Sequence, residues 1–327
     1  MWDGYGNPKI MRTPTKERNN FHLTLTANRV FIKLSIITQT HRKVTKMREI
    51  KSIEITKAVR DLFIKANIYL PADTEKAICD ACERETCPIA ASALKVAKDN
   101  LDAAKENEMA ICQDTGMAVL FAEIGNEVHI TGELFEDAVN EGVRQAYRDG
   151  YFRCSVTSDP LFDRKNTGDN TPAVIHTKIV KGDKIRLVAA PKGFGSENMS
   201  RIKMFNPSIG KDDIVKFACQ TVKEAGGNPC PPVVVGIGIG GTFDYSAVLA
   251  KKALARNISD RNPDPRYAAL ESEILTELNK LKVGAQGFGG DTTALAVNIE
   301  HYPTHIAGLP VAININCHVA RHAEITL

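Results

Sequence analysis

The chain has 327 residues, of which 43% are hydrophobic and 25% charged, the composition of a globular protein rather than of a disordered or fibrous one. No apolar run approaches the roughly 20 residues that cross a bilayer, and the polar N-terminal stretch excludes a secretory signal. Eight cysteines in a chain of this length do not make a disulfide scaffold. We therefore expect a reducing compartment and a cytoplasmic protein that binds neither membrane nor nucleic acid.

The net charge of +3 is unevenly distributed along the chain. Residues 1–46 carry nine Lys or Arg against Asp3 and Glu17, a net charge of +7, so the remaining residues carry −4. Such a basic leader is typical of a nucleic-acid arm, a transit peptide or an unstructured extension. We predict a disordered extension over residues 1–46, because amphipathic pattern begins just after Met47. Truncation at Met47 is expected to leave activity intact, and loss of folding would contradict that prediction.

Hydrophobic periodicity predicts a mixed α/β (α+β) domain over residues 47–327, in which a helix-rich N-terminal part packs on mixed sheets. The predicted helices of the first part begin near Ile55, after the capping residue Asp73, at Pro88 and after Thr131. The first predicted strand is Met117–Phe121, directly after the motif "CQDTG".

The second part continues with "AVIHTKIV" and "IRLVAA", two strands joined through Gly182-Asp183, which is a hairpin signal. A helix starts at Asp212-Asp213 and ends at Gly226-Gly227. "PPVVVGIGIGG" predicts a buried strand that enters a glycine loop, and helices are expected over residues 246–256 and 271–282. "AQGFGGDTT" is a second glycine-rich loop, and the segment after Gly308 predicts a strand with a short tail.

Three isolated cysteines lie where predicted elements end. Cys112 precedes Gln-Asp-Thr-Gly, Cys230 stands among prolines in "NPCPP", and Cys317 follows the apolar strand "VAININ". Residues at the ends of elements are held by a rigid scaffold and remain accessible to a ligand. Free thiols at such accessible positions are prone to oxidation, which suggests a functional role for these cysteines. Spacing alone leaves open whether the three form one metal site or remain separate thiols.

Two further patterns admit both a functional and a structural interpretation. Cys79-x2-Cys82-x4-Cys87 has the close spacing of zinc or cluster ligands. It falls in a helical pattern and lacks a fourth ligand, however, which favours structural thiols buried on a helix. Gly236-x-Gly238-x-x-Gly241 matches the dinucleotide fingerprint, but no acidic residue at the end of a following strand accompanies it. Among the loop cations, Arg153 and Lys192 each adjoin a predicted site loop.

Five motifs together carry a family resemblance, and they occur in one order: "ICQDTG", "RKNTGDNTPAVIH", "PKGFGSENMSR", "GGNPCPPVVVGIGIGGTFDYSAVLAKKAL" and "GAQGFGGDTTALAV…THIAGLPVAININCHVARH". From Met47 to Arg321 the chain resembles the class I, iron–sulfur fumarate hydratases. More narrowly, it resembles the α subunit of the two-subunit type, to which L-tartrate dehydratase α subunits are close relatives.

The resemblance implies that Cys112, Cys230 and Cys317 ligate one [4Fe–4S] cluster with one non-cysteine-ligated iron. An open iron acts as a Lewis acid on a hydroxyl that leaves poorly. A cluster that carries electrons is more often closed by four cysteines, so the ligand count favours a lyase over an electron carrier.

The resemblance also assigns site residues one by one. Gln113, Arg153 and Gly195 match residues that contact the substrate, and Arg153 is the one that holds a substrate carboxylate. Asp114 and His305 match catalytic residues that relay or orient a proton.

The implied reaction is the reversible hydration of fumarate to (S)-malate, a step of the tricarboxylic acid cycle, and L-tartrate dehydration is the alternative. Single-chain members of the family continue with a second domain, whereas this chain stops at Leu327. We therefore expect a β subunit to complete the site in an α2β2 assembly. An iron–sulfur electron-transfer or sensor protein and a nucleotide-binding protein are the alternatives from other classes.

Overall fold

The computed structural model of the protein describes residues 47–327. The predicted extension over residues 1–46 lies outside the described residues, so its disorder and the boundary at Met47 stay predictions. The helices are α1 (Ser52–Ile68), α2 (Ala72–Arg84), α3 (Pro88–Glu106), α4 (Phe135–Asp149), α5 (Phe194–Glu197), α6 (Lys211–Ala225), α7 (Phe243–Ala253) and α8 (Pro265–Lys280). The strands are β1 (Arg48–Lys51), β2 (Val119–Gly125), β3 (Val128–Thr131), β4 (Val174–Val180), β5 (Ile185–Ala189), β6 (Arg201–Phe205), β7 (Val233–Gly240), β8 (Ala294–Tyr302), β9 (Leu309–Asn316) and β10 (Ala323–Thr326).

The first four-stranded sheet has the order β10-β5-β2-β4 and packs against α1 and α4. Ile55 and Phe63 on the apolar face of α1 are fully buried, at the helical spacing that the sequence predicts. They share one core cluster with Tyr147 of α4 and Leu187 of β5. Full burial of each large apolar side chain contributes about 1.5–3 kcal/mol. This core holds β2 in place and so positions the loop that carries Cys112 just before it.

The second four-stranded sheet has the order β6-β9-β7-β8, with β7 inside it. β7 runs parallel to β8 and antiparallel to β9. Val233, Val235 and Ile237 pack with α6 and α8, while Gly236 and Gly238 face α7. Because helices cover both faces, every residue of β7 is buried, as a continuous apolar run predicts. Both large sheets mix parallel and antiparallel neighbours between helices, so the predicted α+β fold class is confirmed.

The hairpin predicted at Gly182-Asp183 is wrong. Both strands form, but β2 lies between them, parallel to β4 and antiparallel to β5. The turn crosses over the end of β2, where the backbone N–H groups of Gly125 and Glu127 donate to Lys184 and Gly182. The predicted turn is therefore correct, but β4 and β5 do not pair with each other, because β2, from an earlier part of the chain, pairs with both.

Smaller differences concern the ends of elements. Asp73 lies inside α2 rather than at its cap, and its carboxylate accepts a hydrogen bond from the backbone N–H of Ser259 at 2.9 Å. α8 begins at Pro265 rather than near residue 271, because Asp264 caps it through the N–H of Arg266 at 2.9 Å. The predicted C-terminal tail forms β10, which pairs with β5. None of the helices between residues 47 and 327 is long and apolar enough to cross a membrane.

Candidate active site

The pairing of β7 with β9 brings two of the three isolated cysteines to one edge of the second sheet. Cys230 lies just before β7, and Cys317 directly follows β9. The two strands are antiparallel with Val234 opposite Asn316, so the start of one strand lies beside the end of the other. The backbone N–H of His318 donates to the carbonyl oxygen of Cys230 at 3.3 Å. The loops of Cys230 and Cys317 are therefore in direct contact.

The loop before β2 brings the third cysteine to the same place. The guanidinium of Arg321 donates to the carbonyl oxygen of Asp114, which ties the segment after Cys317 to the turn after Cys112. Burial raises the pKa of the Cys230 thiol, and the neighbouring Cys112 raises it further. Burial likewise raises the pKa of the Cys317 thiol, and Cys112 adds to that shift. The structure thus brings Cys112, Cys230 and Cys317 together from three distant segments, all as free thiols.

Cys230 has an unusual backbone conformation that its neighbours hold in place. Its φ is +53°, in the left-handed region that residues other than glycine seldom adopt. The side-chain amide of Gln286, in the second glycine-rich loop, donates to the carbonyl oxygen of Pro231 at 3.1 Å. The Nδ1 of His318 lies 3.0 Å from the carbonyl oxygen of Cys230 itself. A backbone conformation of this kind costs about 1–3 kcal/mol and is concentrated at functional sites.

Asp114 joins the Cys112 loop to α5, the short helix that contains Gly195. Its carboxylate accepts backbone hydrogen bonds from Gly116 at 3.1 Å and from Phe194 at 2.9 Å. A Cβ on Gly195 would lie 3.6 Å from the carbonyl oxygen of Asn228, in the loop that leads to Cys230. The predicted site residues Asp114 and Gly195 are therefore both beside the cysteine loops.

Gln113 and Arg153 lie in an open cleft next to Cys112. The cleft has a volume of about 1130 Å³, and Cys112, Gln113, Thr115 and Arg153 are among its lining residues. Both Gln113 and Arg153 are exposed, and the hydroxyl of Thr115 donates to the carbonyl oxygen of Arg153 at 2.9 Å. A guanidinium and an amide at the mouth of such a cleft suit the carboxylate of a small ligand.

His305 does not lie with the cysteines within one chain. It follows β8, and its neighbour Thr304 donates to the carbonyl oxygen of Gly241, beyond the C-terminal end of β7. Cys230 precedes the other end of β7. Eight strand residues at about 3.3 Å each separate the two ends. The exposed imidazole of His305 accepts only a local hydrogen bond, from the N–H of Ala307 at 3.1 Å.

Lys192 supports the site beside α5, the short helix that contains Gly195. Its side chain is 4% exposed, and its ammonium donates to the hydroxyl of Ser196 and to the carbonyl oxygen of Ile315, both at 2.8 Å. Glu197 lies 3.4 Å away. Burial lowers the pKa of Lys192 to about 8, although Glu197 acts in the opposite direction. In the sequence, only its place beside a predicted site loop marks Lys192. In the structure, Lys192 ties α5 to β9, the strand that Cys317 directly follows.

Arg321 is a second buried cation that sequence patterns do not reveal. It is 4% exposed and donates to the carbonyl oxygen of Asp114, while its Nε is buried without a hydrogen-bond partner. Because arginine is mostly an exposed residue, nothing in the sequence except its place four residues after Cys317 marks it.

The three closely spaced cysteines lie in a helical segment, as their pattern predicts. Cys79 and Cys82 lie on α2 and Cys87 caps α3, where Cys82 and Cys87 pack against an apolar cluster. Partial burial raises the pKa of the half-buried Cys82 thiol. Over residues 47–327, no three His, Cys, Asp or Glu side chains are spaced to hold a single metal ion.

The glycines of the dinucleotide-like pattern serve helix packing. A Cβ on Gly236 would lie 2.2 Å from the carbonyl oxygen of Ala250, and one on Gly238 would lie 2.0 Å from that of Ser246. Both glycines therefore let α7 lie directly on β7. A dinucleotide fingerprint needs its first glycines in the turn after the strand, whereas these two lie inside it. The interpretation of this glycine pattern as a dinucleotide fingerprint is therefore wrong.

Comparison with known proteins places these motifs in one family. The model of the family described as "Fumarate hydratase (Fumerase)" matches residues 56–326. A Methanocaldococcus jannaschii protein named "Putative L(+)-tartrate dehydratase subunit alpha" is 41% identical over 276 residues, covering 83% of this chain and 96% of that protein. The L(+)-tartrate dehydratase subunit alpha of Escherichia coli K12 is 29% identical over 283 residues, covering 84% of this chain and 92% of its own length.

Proposed function

Because the chain belongs to the fumarate hydratase family and is a hydro-lyase, we propose that it is the α subunit of an iron–sulfur enzyme acting on a four-carbon dicarboxylate. The observation that carries this proposal is the meeting of Cys112, Cys230 and Cys317 at one site. The family resemblance assigned these same three residues to one cluster.

The residues present fit a [4Fe–4S] cluster. Three free thiols come from three loops that hydrogen bonds hold together, and a buried guanidinium lies among them. Each cysteine of such a cluster binds its own iron, so the close spacing of ligands around one ion is not required. When bound, the cluster supplies a Lewis-acidic iron without a cysteine ligand. Cys112, Cys230 and Cys317 are the residues that would hold it.

The chain's own side chains have distinct tasks in this proposal. Arg153 binds a substrate carboxylate through the paired N–H groups of its guanidinium. Gln113 offers an amide donor and acceptor at the mouth of the cleft. Two backbone N–H groups fix the carboxylate of Asp114, which therefore holds or moves a proton from a defined position. His305 keeps its proposed catalytic role only if an assembly brings it to the site of another chain.

The proposed substrate pair is fumarate and (S)-malate, with the cytoplasm and the tricarboxylic acid cycle as its setting. L(+)-tartrate is the second candidate, because the relatives at 41% and 29% identity carry that name. Tartrate has one hydroxyl more than malate. A site built to bind that hydroxyl rejects the analogue without it by about 10⁴–10⁵, so one assay with both substrates separates the candidates.

The proposed partner is a β subunit in an α2β2 complex, since the relatives are named as alpha subunits. The cleft beside Cys112 is open in the described chain, and a second subunit would close it against water. The α chain alone is then expected to bind the cluster and to turn over poorly. Full activity of α alone would contradict the need for β.

The test is an anaerobic assay of the α chain with and without its β subunit, on fumarate, (S)-malate and L(+)-tartrate. Asp114→Asn is expected to lower kcat of the complex by about 10²–10⁴ while the iron content stays unchanged. Asp212→Asn is the matched control, because Asp212 is exposed on α6. A complex with a full cluster that acts on none of the three substrates would overturn the lyase proposal and favour an electron-transfer or sensor protein.

A further inference from the structure

Arg321 is a buried cation without an anionic partner in the part of the chain that the structure describes. No Asp or Glu oxygen there lies within 4.0 Å of its guanidinium, which reaches only a carbonyl oxygen, that of Asp114. A buried charge without a counter-charge costs several kcal/mol. The side chain is nonetheless held in place at both ends, since its backbone N–H donates to the carbonyl oxygen of Val319 at 3.0 Å.

The carboxylate that could neutralise Arg321 is engaged elsewhere. Asp114 turns its side chain to the backbone N–H groups of Gly116 and Phe194 and offers Arg321 only its carbonyl oxygen. By contrast, another buried cation, Lys192, lies 3.4 Å from Glu197, which also pairs with Lys251. Among the described residues, Arg321 is thus a buried cation of this site with no carboxylate in range.

The position of Arg321 links two of the cluster cysteines. It follows Cys317 by four residues, and it binds the carbonyl oxygen two residues after Cys112. The guanidinium is thus placed to act on the thiolates and to hold their loops together.

We infer that Arg321 is the positioning and charge-balancing residue of the proposed cluster. Three thiolates and a cluster bring net negative charge to the cysteine loops. The buried guanidinium of Arg321, which has no carboxylate partner among the described residues, offsets that charge. The net charge and the hydrogen bonds around a cluster set its reduction potential. Loss of this cation therefore makes the addition of an electron less favourable. This inference rests on the proposed function, because it requires the cluster.

The experiment compares Arg321→Gln and Arg321→Lys with wild type and with Arg186→Gln. The last is the control, since Arg186 lies on β5, is partly exposed and already pairs with Glu324. Each α–β complex is assembled anaerobically, its iron and sulfide are counted, and the cluster is titrated with dithionite while its reduced form is followed by electron paramagnetic resonance. Thermal unfolding before cluster assembly checks that each variant folds.

We expect Arg321→Gln to weaken one-electron reduction at least tenfold, which is a shift of about 59 mV to more negative potential. Arg321→Lys and Arg186→Gln are expected to stay close to wild type. Failure of Arg321→Gln to retain the cluster, with retention in Arg321→Lys, would also support the charge-balancing role. A wild-type potential in Arg321→Gln, or loss of the cluster in both Arg321 variants, would overturn it. A wild-type complex without a cluster would instead overturn the proposed function.

Discussion

Replacement of Lys192 by methionine tests how the buried lysine supports the site. Methionine keeps an unbranched apolar stem, one heavy atom shorter than lysine, but removes three hydrogen bonds, to Ser196, to Ile315 and, at 3.2 Å, to Gly193. A hydrogen bond from a charged group contributes about 1.5–3 kcal/mol, and relief of the buried charge offsets part of that loss. We expect Lys192→Met to lower the free energy of unfolding by about 2–4 kcal/mol at pH 7.

The same substitution has a predicted pH dependence. Burial lowers the pKa of Lys192 from 10.5 to about 8 in the folded chain. Below pH 8 both the folded and the unfolded chain hold the proton, and the folded chain bears the full cost of the buried charge. Between pH 8 and 10.5 the unfolded chain binds more protons, so the wild type gains stability as the pH rises. At 1.36 kcal/mol per pKa unit, the difference in free energy of unfolding between wild type and Lys192→Met therefore widens by up to about 3 kcal/mol over this pH range.

Urea unfolding of the α chain, with a thiol reductant and a chelator, measures this gap at several pH values. Lys178→Met is the matched control, because Lys178 is exposed on β4. The difference in free energy of unfolding between wild type and Lys178→Met is expected to stay constant across these pH values. A gap between wild type and Lys192→Met that stays constant from pH 7 to pH 10 would refute the assignment of the lowered pKa to Lys192.

Two further predictions concern the second sheet. Gly238→Ala forces a Cβ against a carbonyl oxygen of α7 at 2.0 Å, so we expect the free energy of unfolding in urea to fall by about 3 kcal/mol or more. The control Gly308→Ala, whose Cβ has room, is expected to stay near wild type. Equal stability of the two variants would contradict the packing role of Gly238. Glu271 is 0% exposed, pairs with Arg256 and accepts the N–H of Ile299 at 2.8 Å. Because Arg256 keeps Glu300 at 3.1 Å, Glu271→Gln is expected to cost about 1–3 kcal/mol in urea unfolding, and an unchanged stability would contradict this role.

Local sequence patterns predicted the helices and strands of this fold better than they predicted which strands pair with each other. Hydrophobic periodicity near Ile55 identified α1, because one buried helix face repeats within a few residues. The turn at Gly182 was also recognised, but the strand inserted beside it, β2, comes from an earlier part of the chain. Pairing of that kind depends on long-range packing, which a local signal does not contain.

The same holds for the candidate site, where the sequence predicted local positions but not the long-range contacts. Cys230 and Cys317 were correctly placed at the ends of elements, but their meeting depends on the antiparallel pairing of β7 and β9. The burial of Lys192 and Arg321 was not visible, since basic side chains are mostly exposed and composition cannot mark the exceptions. The family resemblance suggested His305, and the fold of one chain puts it beyond the opposite end of β7.

The most direct test of the central proposal is an iron and sulfide count on the anaerobically assembled chain and its single cysteine-to-serine variants. We predict about four iron and four sulfide per wild-type chain, and loss of the cluster in Cys112→Ser, Cys230→Ser and Cys317→Ser. Cys219→Ser, on the half-buried face of α6, is expected to keep the wild-type content. Wild-type iron and sulfide in Cys230→Ser would contradict the shared site.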